Sequence, residues 1–250
     1  MATGGVDLAS QAKNTGACVI IWSESRATVT EMRDHADDEC IAQLMVRVEK
    51  LGIDVPLGWP KAFVDAVSMH AKDGSWPVHY NHAQAHAFRY RKTDLWIRET
   101  LNARFPLSIS SDLIAIPAMR AAALLARQDA PVARDGSGIV AEVYPAAALR
   151  RWGFRSQQYK GTLHADARRE LVLHLRRETR GWFEFADDFA EICCTNDNVL
   201  DALIAALVAR AVYVGLVEPI PSEHLAAARQ EGWIALPTVN SLHQLAFREP

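Results

Sequence analysis

The chain opens with Gly4-Gly5-Val6-Asp7-Leu8, continues through Ala17-Cys18-Val19-Ile20-Ile21-Trp22 and reaches Ala27-Thr28-Val29-Thr30. All three segments are short and rich in apolar and β-branched residues, and turn-forming residues separate them. This pattern predicts an antiparallel meander of three strands at the start of the fold.

Helix and strand patterns alternate after the meander. An amphipathic helix over 37–51 leads into the strand Gly52-Ile53-Asp54-Val55, which Pro56 ends, and a fifth strand over 138–144 ends at Pro145. Further helices are predicted at 59–71, 94–103, 111–127, 165–180 and 197–214, followed by a strand-like segment at 233–236. We therefore expect one α/β domain over 1–250: a mixed sheet of the antiparallel meander plus two parallel strands, flanked by helices, with extra helical insertions.

The segment 72–90 differs from its surroundings because it is rich in Gly, Pro, Asn and His and has little periodicity. It predicts a loop or lid over one end of the sheet. His79, His82 and His86 fall in this segment, and incidental histidines of a polar lid are a better interpretation than a metal site.

Composition limits the possible functions. Half of the 250 residues are hydrophobic, which suffices for a large core, and the net charge of −3 argues against a protein that is basic over its whole surface. The four cysteines form no Cys-x-x-Cys pair, and the first residues carry neither a basic start nor a long apolar run. We expect reduced thiols, no membrane segment and a cytoplasmic protein.

Aspartates end two of the predicted strands. In a mixed sheet Asp7 and Asp54 would lie on adjacent strands about 5 Å apart, where two carboxylates repel each other unless a cation lies between them. Asp201, on the core-facing side of the helix 197–214, would supply a third oxygen ligand, and hard oxygen ligands favour Mg²⁺ or Mn²⁺. Asp197 shares that helix face; it is either a fourth ligand or a first-turn acid favoured by the helix dipole.

Seven short runs of residues, in order along the chain, carry a resemblance. They are Gly5-Val6-Asp7, Ile53-Asp54-Val55-Pro56-Leu57-Gly58, Arg91-Lys92-Thr93-Asp94, Glu142-Val143-Tyr144-Pro145, Tyr159-Lys160, Asp201-Ala202-Leu203 and Glu231-Gly232-Trp233-Ile234. Together they resemble an uncharacterised family of predicted nucleases with the ribonuclease H fold. The resemblance implies a metal cluster at Asp7, Asp54 and Asp201 and a two-metal hydrolysis of phosphodiester bonds in nucleic acid.

Other residues are candidates for catalysis or for substrate binding. Glu142, on the fifth strand, would complete the metal shell or contact substrate, and Arg91 would neutralise a phosphate. Tyr144, Tyr159 and Lys160 are expected to bind substrate as well.

The segment from Arg150 to Arg180 carries nine basic and three acidic residues. With its interleaved aromatic residues it is either a groove for a nucleic-acid backbone or a solvated helix face. Two other functions stay open: a nucleotide-hydrolysing or phosphoryl-transfer protein of the actin-like superfamily, and a nucleic-acid-binding module without catalysis.

Overall fold

The structure is a computed structural model that describes residues 1–77 and 81–248. Its strands are β1 (Ala2–Asp7), β2 (Gly16–Ser23), β3 (Arg26–Arg33), β4 (Lys50–Asp54), β5 (Val140–Glu142) and β6 (Phe183–Glu184). Its helices are α1 (Asp38–Arg47), α2 (Lys61–Asp73), α3 (His82–Arg89), α4 (Lys92–Leu101), α5 (Ala115–Leu125), α6 (Pro145–Arg151), α7 (Ala165–Glu178), α8 (Asp187–Thr195), α9 (Asp197–Tyr213) and α10 (Leu225–Glu231).

The strands form one mixed sheet in the order β5-β4-β1-β2-β3-β6. The pairs β1-β2 and β2-β3 are antiparallel, whereas β4 runs parallel to β1 and β5 runs parallel to β4. The predicted meander and its two parallel strands are therefore confirmed, as is the α/β class. The short strand β6, parallel to β3, was not predicted.

Two glycines let α9 lie directly on the sheet. A Cβ atom added at Gly5 would lie 1.9 Å from the carbonyl oxygen of Ala202, and one added at Gly52 would lie 2.3 Å from that of Ala205. Because no side chain fits between the helix and these strands, glycine is required at both positions. This contact fixes the position of α9 over the ends of β1 and β4.

The opposite face of the sheet carries ordinary apolar packing. Val6 and Ile53 point to that face and join a cluster with Ile41 and Leu44 of α1 and Leu124 of α5. Since successive strand residues point to opposite faces, Gly5 and Asp7 share the α9 face, as do Gly52 and Asp54. The pattern Gly-apolar-Asp thus turns both carboxylates toward α9.

Several local predictions need correction. The expected loop or lid at 72–90 contains the end of α2 and the whole of α3, which begins at a capping box formed by Asn81 and Gln84. His79 lies outside the described residues. The helices α6 and α8 were not predicted, and the strand-like segment near Trp233 contributes only a bridge between Ile234 and Glu142.

Helix α9 is more deeply buried than an amphipathic pattern predicts. Every residue from Val199 to Ala211 is buried, because the sheet covers one side and α6 and α8 cover others. Within the described residues, no single helix is long and apolar enough to cross a membrane; α8 and α9 together reach that length but meet at a bend of 118°.

Candidate metal centre

Asp7 and Asp54 are the last residues of β1 and β4 and are direct partners in the parallel register. Both carboxylates face α9, where Asp201 precedes the Ala202 that lies against Gly5. Ligand oxygens from the three aspartates lie within 4.8 Å of one another. The predicted convergence of these three residues is therefore present in the structure.

Two residues of the loop before α7 reach this cluster. The hydroxyl of Tyr159 donates a hydrogen bond of 2.8 Å to Oδ1 of Asp201. The ammonium of Lys160 forms an ion pair with Oδ2 of Asp201 and lies 3.9 Å from Oδ2 of Asp54. Apart from that ammonium, Oδ2 of Asp201 is buried without a hydrogen bond of normal geometry.

Arg168 of α7 fixes the loop that carries Tyr159. Its buried guanidinium donates hydrogen bonds to the carbonyl oxygens of Tyr159 (2.8 Å), Gly161 (2.6 Å), Cys194 (3.0 Å) and Thr195 (3.2 Å). Sequence reasoning missed this role. A signal existed, because Arg168 interrupts the apolar stripe that continues at Leu171, Val172 and Leu175.

The three carboxylates hold protons more tightly than ordinary aspartates. Burial raises the pKa of Asp7 well above its usual value, and the charges of Asp54 and Asp201 raise it further. Burial raises the pKa of Asp54 to about 7 even though Lys160 opposes the shift. Burial also raises the pKa of Asp201 against the effects of Lys160 and Tyr159. The single ammonium of Lys160 therefore does not offset the effects of burial and mutual repulsion on these three carboxylates.

A divalent cation fits this donor set. The ligands are three carboxylates with no nitrogen or sulfur among them, which is the chemistry that Mg²⁺ and Mn²⁺ prefer. Oδ2 of Asp201, which is buried and contacts the ammonium of Lys160 without a hydrogen bond of normal geometry, is an oxygen that an ion could use. The cluster can therefore hold a metal ion.

Asp197 lies beside the cluster and not in it. Its Oδ2 accepts a hydrogen bond of 3.3 Å from the backbone N–H of Gly161, and its Oδ1 lies 4.0 Å from the guanidinium of Arg168. It does not share the close geometry of Asp7, Asp54 and Asp201. Of the two interpretations left open for Asp197, this geometry favours a first-turn acid of α9, which also lines the pocket, over a fourth ligand.

Glu142 and Arg91 have a different role from the one predicted. The guanidinium of Arg91 donates two hydrogen bonds to Glu142 (2.7 and 2.8 Å), two to Asp94 (2.9 and 3.2 Å) and one to the carbonyl of Glu231 (3.2 Å). These bonds use all of its N–H donors. Oε2 of Glu142 also accepts from the N–H of Leu57 at 2.9 Å. The donors of Arg91 are thus engaged within the chain, and Glu142 lies outside the close group of three aspartates, so the geometry argues against a phosphate-binding Arg91 and a metal-binding Glu142. Both residues line the pocket, and contact of Glu142 with substrate stays a prediction.

The side chain of Glu231 completes this second cluster. Its carboxylate accepts hydrogen bonds of 2.8 Å from the N–H groups of Lys61 and Lys92, the first residues of α2 and α4. It therefore satisfies N–H groups at two helix N-termini at once. We call Arg91, Asp94, Glu142 and Glu231 the arginine cluster.

A pocket of about 610 Å³ is lined by Asp7 and Asp54, while Asp201 lies buried behind Tyr159 and Lys160, which also line it. Its apolar lining residues include Pro106, Leu107 and Ile114. Its polar lining residues include Gln157 and Gln158. Tyr144, Tyr159 and Lys160, which we expected to contact substrate, line this pocket too.

The basic segment from Arg150 to Arg180 is largely neutralised by acids. Ion pairs join Arg151 to Glu218, Arg155 to Glu170, Arg169 to Glu191, Arg176 to Asp187 and Arg177 to Glu178. Arg168 is buried, and Lys160 faces the aspartates. Of the two interpretations of this segment, the structure favours helix surfaces with paired charges over a continuous basic groove.

The fold and the site together define an α/β protein in which two aspartates at the ends of parallel strands meet a third, fully buried aspartate of helix α9. A family model described as "Protein of unknown function (DUF429)" matches residues 5–226, so the chain belongs to that family. The match includes all three aspartates. No curated protein and no solved structure matches the chain.

Proposed function

We propose that this protein is a metal-dependent hydrolase of phosphodiester bonds, a nuclease with a ribonuclease H-like arrangement of its sheet. The observation that carries the proposal is the group of three carboxylates whose oxygens lie within 4.8 Å of one another, two of which, Asp7 and Asp54, line a pocket. The sheet order, with an antiparallel meander and a parallel β4 beside β1, is consistent with that fold.

The residues of the site have separate tasks in this proposal. Asp7, Asp54 and Asp201 would hold one or two divalent ions, and ions held there would activate the attacking water and stabilise the charge that develops on the leaving oxygen. Tyr159 orients Asp201 through its hydrogen bond to Oδ1. The walls of the pocket keep the scissile bond over the carboxylates and limit access of water.

The pocket limits the part of the substrate that reaches the carboxylates. A volume of about 610 Å³ is within the range for small-molecule sites. We therefore expect one nucleotide unit to enter at a time, with its base against the apolar wall near Leu107. The same volume, together with the paired charges of the basic segment, supports a second candidate: hydrolysis of a free nucleotide or a similarly small phosphoester.

The test is cleavage of single-stranded, duplex and branched DNA and RNA, and of free nucleotides, with Mn²⁺ and with a chelator. The variant Asp54→Asn removes a metal ligand, and we expect its activity to fall at least about 100-fold, which corresponds to the loss of several kcal/mol of transition-state stabilisation. Asp65→Asn is the matched control, because Asp65 is an exposed acid paired with Lys61. Undiminished activity of pure Asp54→Asn protein would overturn the proposal.

A further inference from the structure

The ammonium of Lys160 lies on a carboxylate oxygen that a metal ion would use. It pairs with Oδ2 of Asp201 and approaches Oδ2 of Asp54, while the hydroxyl of Tyr159 engages the other oxygen of Asp201. Both oxygens of the most buried aspartate in the cluster are thus in contact with groups of the chain itself. A metal ion that binds Oδ2 of Asp201 must take the place of the ammonium.

Lys160 is able to leave without disturbing its backbone. Its side chain is 53% exposed, whereas that of Asp201 is fully buried, so the lysine reaches into the cluster from the pocket side. The carbonyls of its two neighbours, Tyr159 and Gly161, are held by Arg168. The loop therefore stays in place while the flexible side chain changes rotamer.

We propose that Lys160 is a built-in cation that occupies the metal centre until a divalent ion displaces it, and that its ammonium then binds a phosphate oxygen of the substrate in the pocket. This inference rests on the proposed function. Its consequence is an ordered assembly: the metal enters first, and the freed positive charge then favours the anionic substrate.

Mn²⁺ titration of the metal-free full chain by calorimetry tests the first step. In Lys160→Met the competing ammonium is absent, so Mn²⁺ should bind about tenfold more tightly than to the unaltered protein if the ammonium occupies the site about nine-tenths of the time. Lys61→Met is the matched control, since Lys61 pairs with an exposed acid, and its Mn²⁺ affinity should stay unchanged. Unchanged or weaker Mn²⁺ binding by Lys160→Met would overturn the inference.

Inorganic phosphate tests the second step. Phosphate should bind the Mn²⁺-loaded Lys160→Met protein more weakly than the unaltered loaded protein, about tenfold, because a charge-assisted hydrogen bond is missing. If the role of Lys160 were merely structural, Lys160→Met would bind both Mn²⁺ and phosphate more weakly. Tighter Mn²⁺ binding with weaker phosphate binding is therefore the signature of displacement. If Lys160→Met does not fold, Lys160→Gln keeps a polar end of similar length for the same two titrations.

The two proposals fail in different ways. If neither the unaltered protein nor any variant binds Mn²⁺, the metal centre itself is refuted and the role of Lys160 falls with it. If the unaltered protein binds Mn²⁺ and Lys160→Met binds it with the same affinity, only the role of Lys160 is refuted.

Discussion

Two clusters of buried acids lie near the same end of the sheet, and they are built on opposite principles. In the arginine cluster, Arg91 donates four hydrogen bonds to Asp94 and Glu142. Backbone N–H groups at two helix N-termini donate to the carboxylate of Glu231. In the aspartate cluster of Asp7, Asp54 and Asp201, Lys160 is the one cationic side chain of residues 1–77 and 81–248 that pairs with the carboxylates, and burial raises their pKa values. The first cluster is complete within the chain, whereas the second can hold a cation from outside.

The hydrogen-bond donors around a buried acid, and not its position in the fold, determine its role. Glu142 is as buried as Asp201 and stands at the end of a strand beside the one that carries Asp54. From its position alone it would be a metal ligand. Its hydrogen bonds to Arg91 and to the N–H of Leu57 make it a structural residue that joins α4 to the sheet.

The largest expected effect comes from breaking the arginine cluster. In Arg91→Met, Glu142 and Asp94 lose their cation while they stay buried, and the free energy of unfolding should fall by about 3–5 kcal/mol. Urea denaturation followed by circular dichroism measures it. The control Arg26→Met breaks an exposed ion pair with Glu184 and should cost less than about 1 kcal/mol. Equal losses in the two variants would refute the difference drawn here between buried and exposed pairs.

Removal of a charge from the aspartate cluster should raise the free energy of unfolding, whereas loss of Arg91 lowers it. In metal-free protein at pH 8, Asp7→Asn removes one of three mutually repelling carboxylates, so the free energy of unfolding should rise, on the order of 1 kcal/mol. The same protein should lose most of the stabilisation that Mn²⁺ gives to the unaltered chain. A clear loss of stability without metal would show that Asp7 is already satisfied by the chain.

A third expected effect is a pH dependence of stability. The pKa of Asp54 is about 7 in the folded protein, against an ordinary value of 3.8. Between these values the folded state binds more protons than the unfolded state, so Asp54 lowers the stability of the metal-free protein as pH rises from about 4 to about 7. The melting temperature of Asp54→Asn should therefore fall less over this pH range than the melting temperature of the unaltered chain. Parallel curves would show that Asp54 keeps an ordinary pKa.

The sequence predicted the frame of the molecule well because its patterns are local. Alternating apolar residues mark β1 to β4, and a parallel β4 beside β1 places Asp7 next to Asp54. The position of Asp201 on a core-facing helix stripe was likewise readable from spacing. These are consequences of strand and helix geometry, which a sequence displays directly.

The errors arose where several distant segments meet. The sequence alone does not distinguish an arginine that binds phosphate from one that binds Glu142. Only the approach of α4 to β5 distinguishes them. Arg168 and Glu231 were not assigned roles for the same reason, since their partners lie on other elements. Loop composition misled as well, because Asn81 and Gln84 begin a helix within the segment expected to be a lid.

The most direct test of this account is Mn²⁺ binding to the metal-free chain at pH 8, compared among the unaltered protein, Asp54→Asn and Glu231→Gln. We expect the unaltered protein and Glu231→Gln to bind the ion and Asp54→Asn to bind it at least about tenfold more weakly, since Asp54 is a proposed metal ligand and Glu231 is not. Failure of the unaltered protein to bind Mn²⁺, or equal binding by Asp54→Asn, would contradict it.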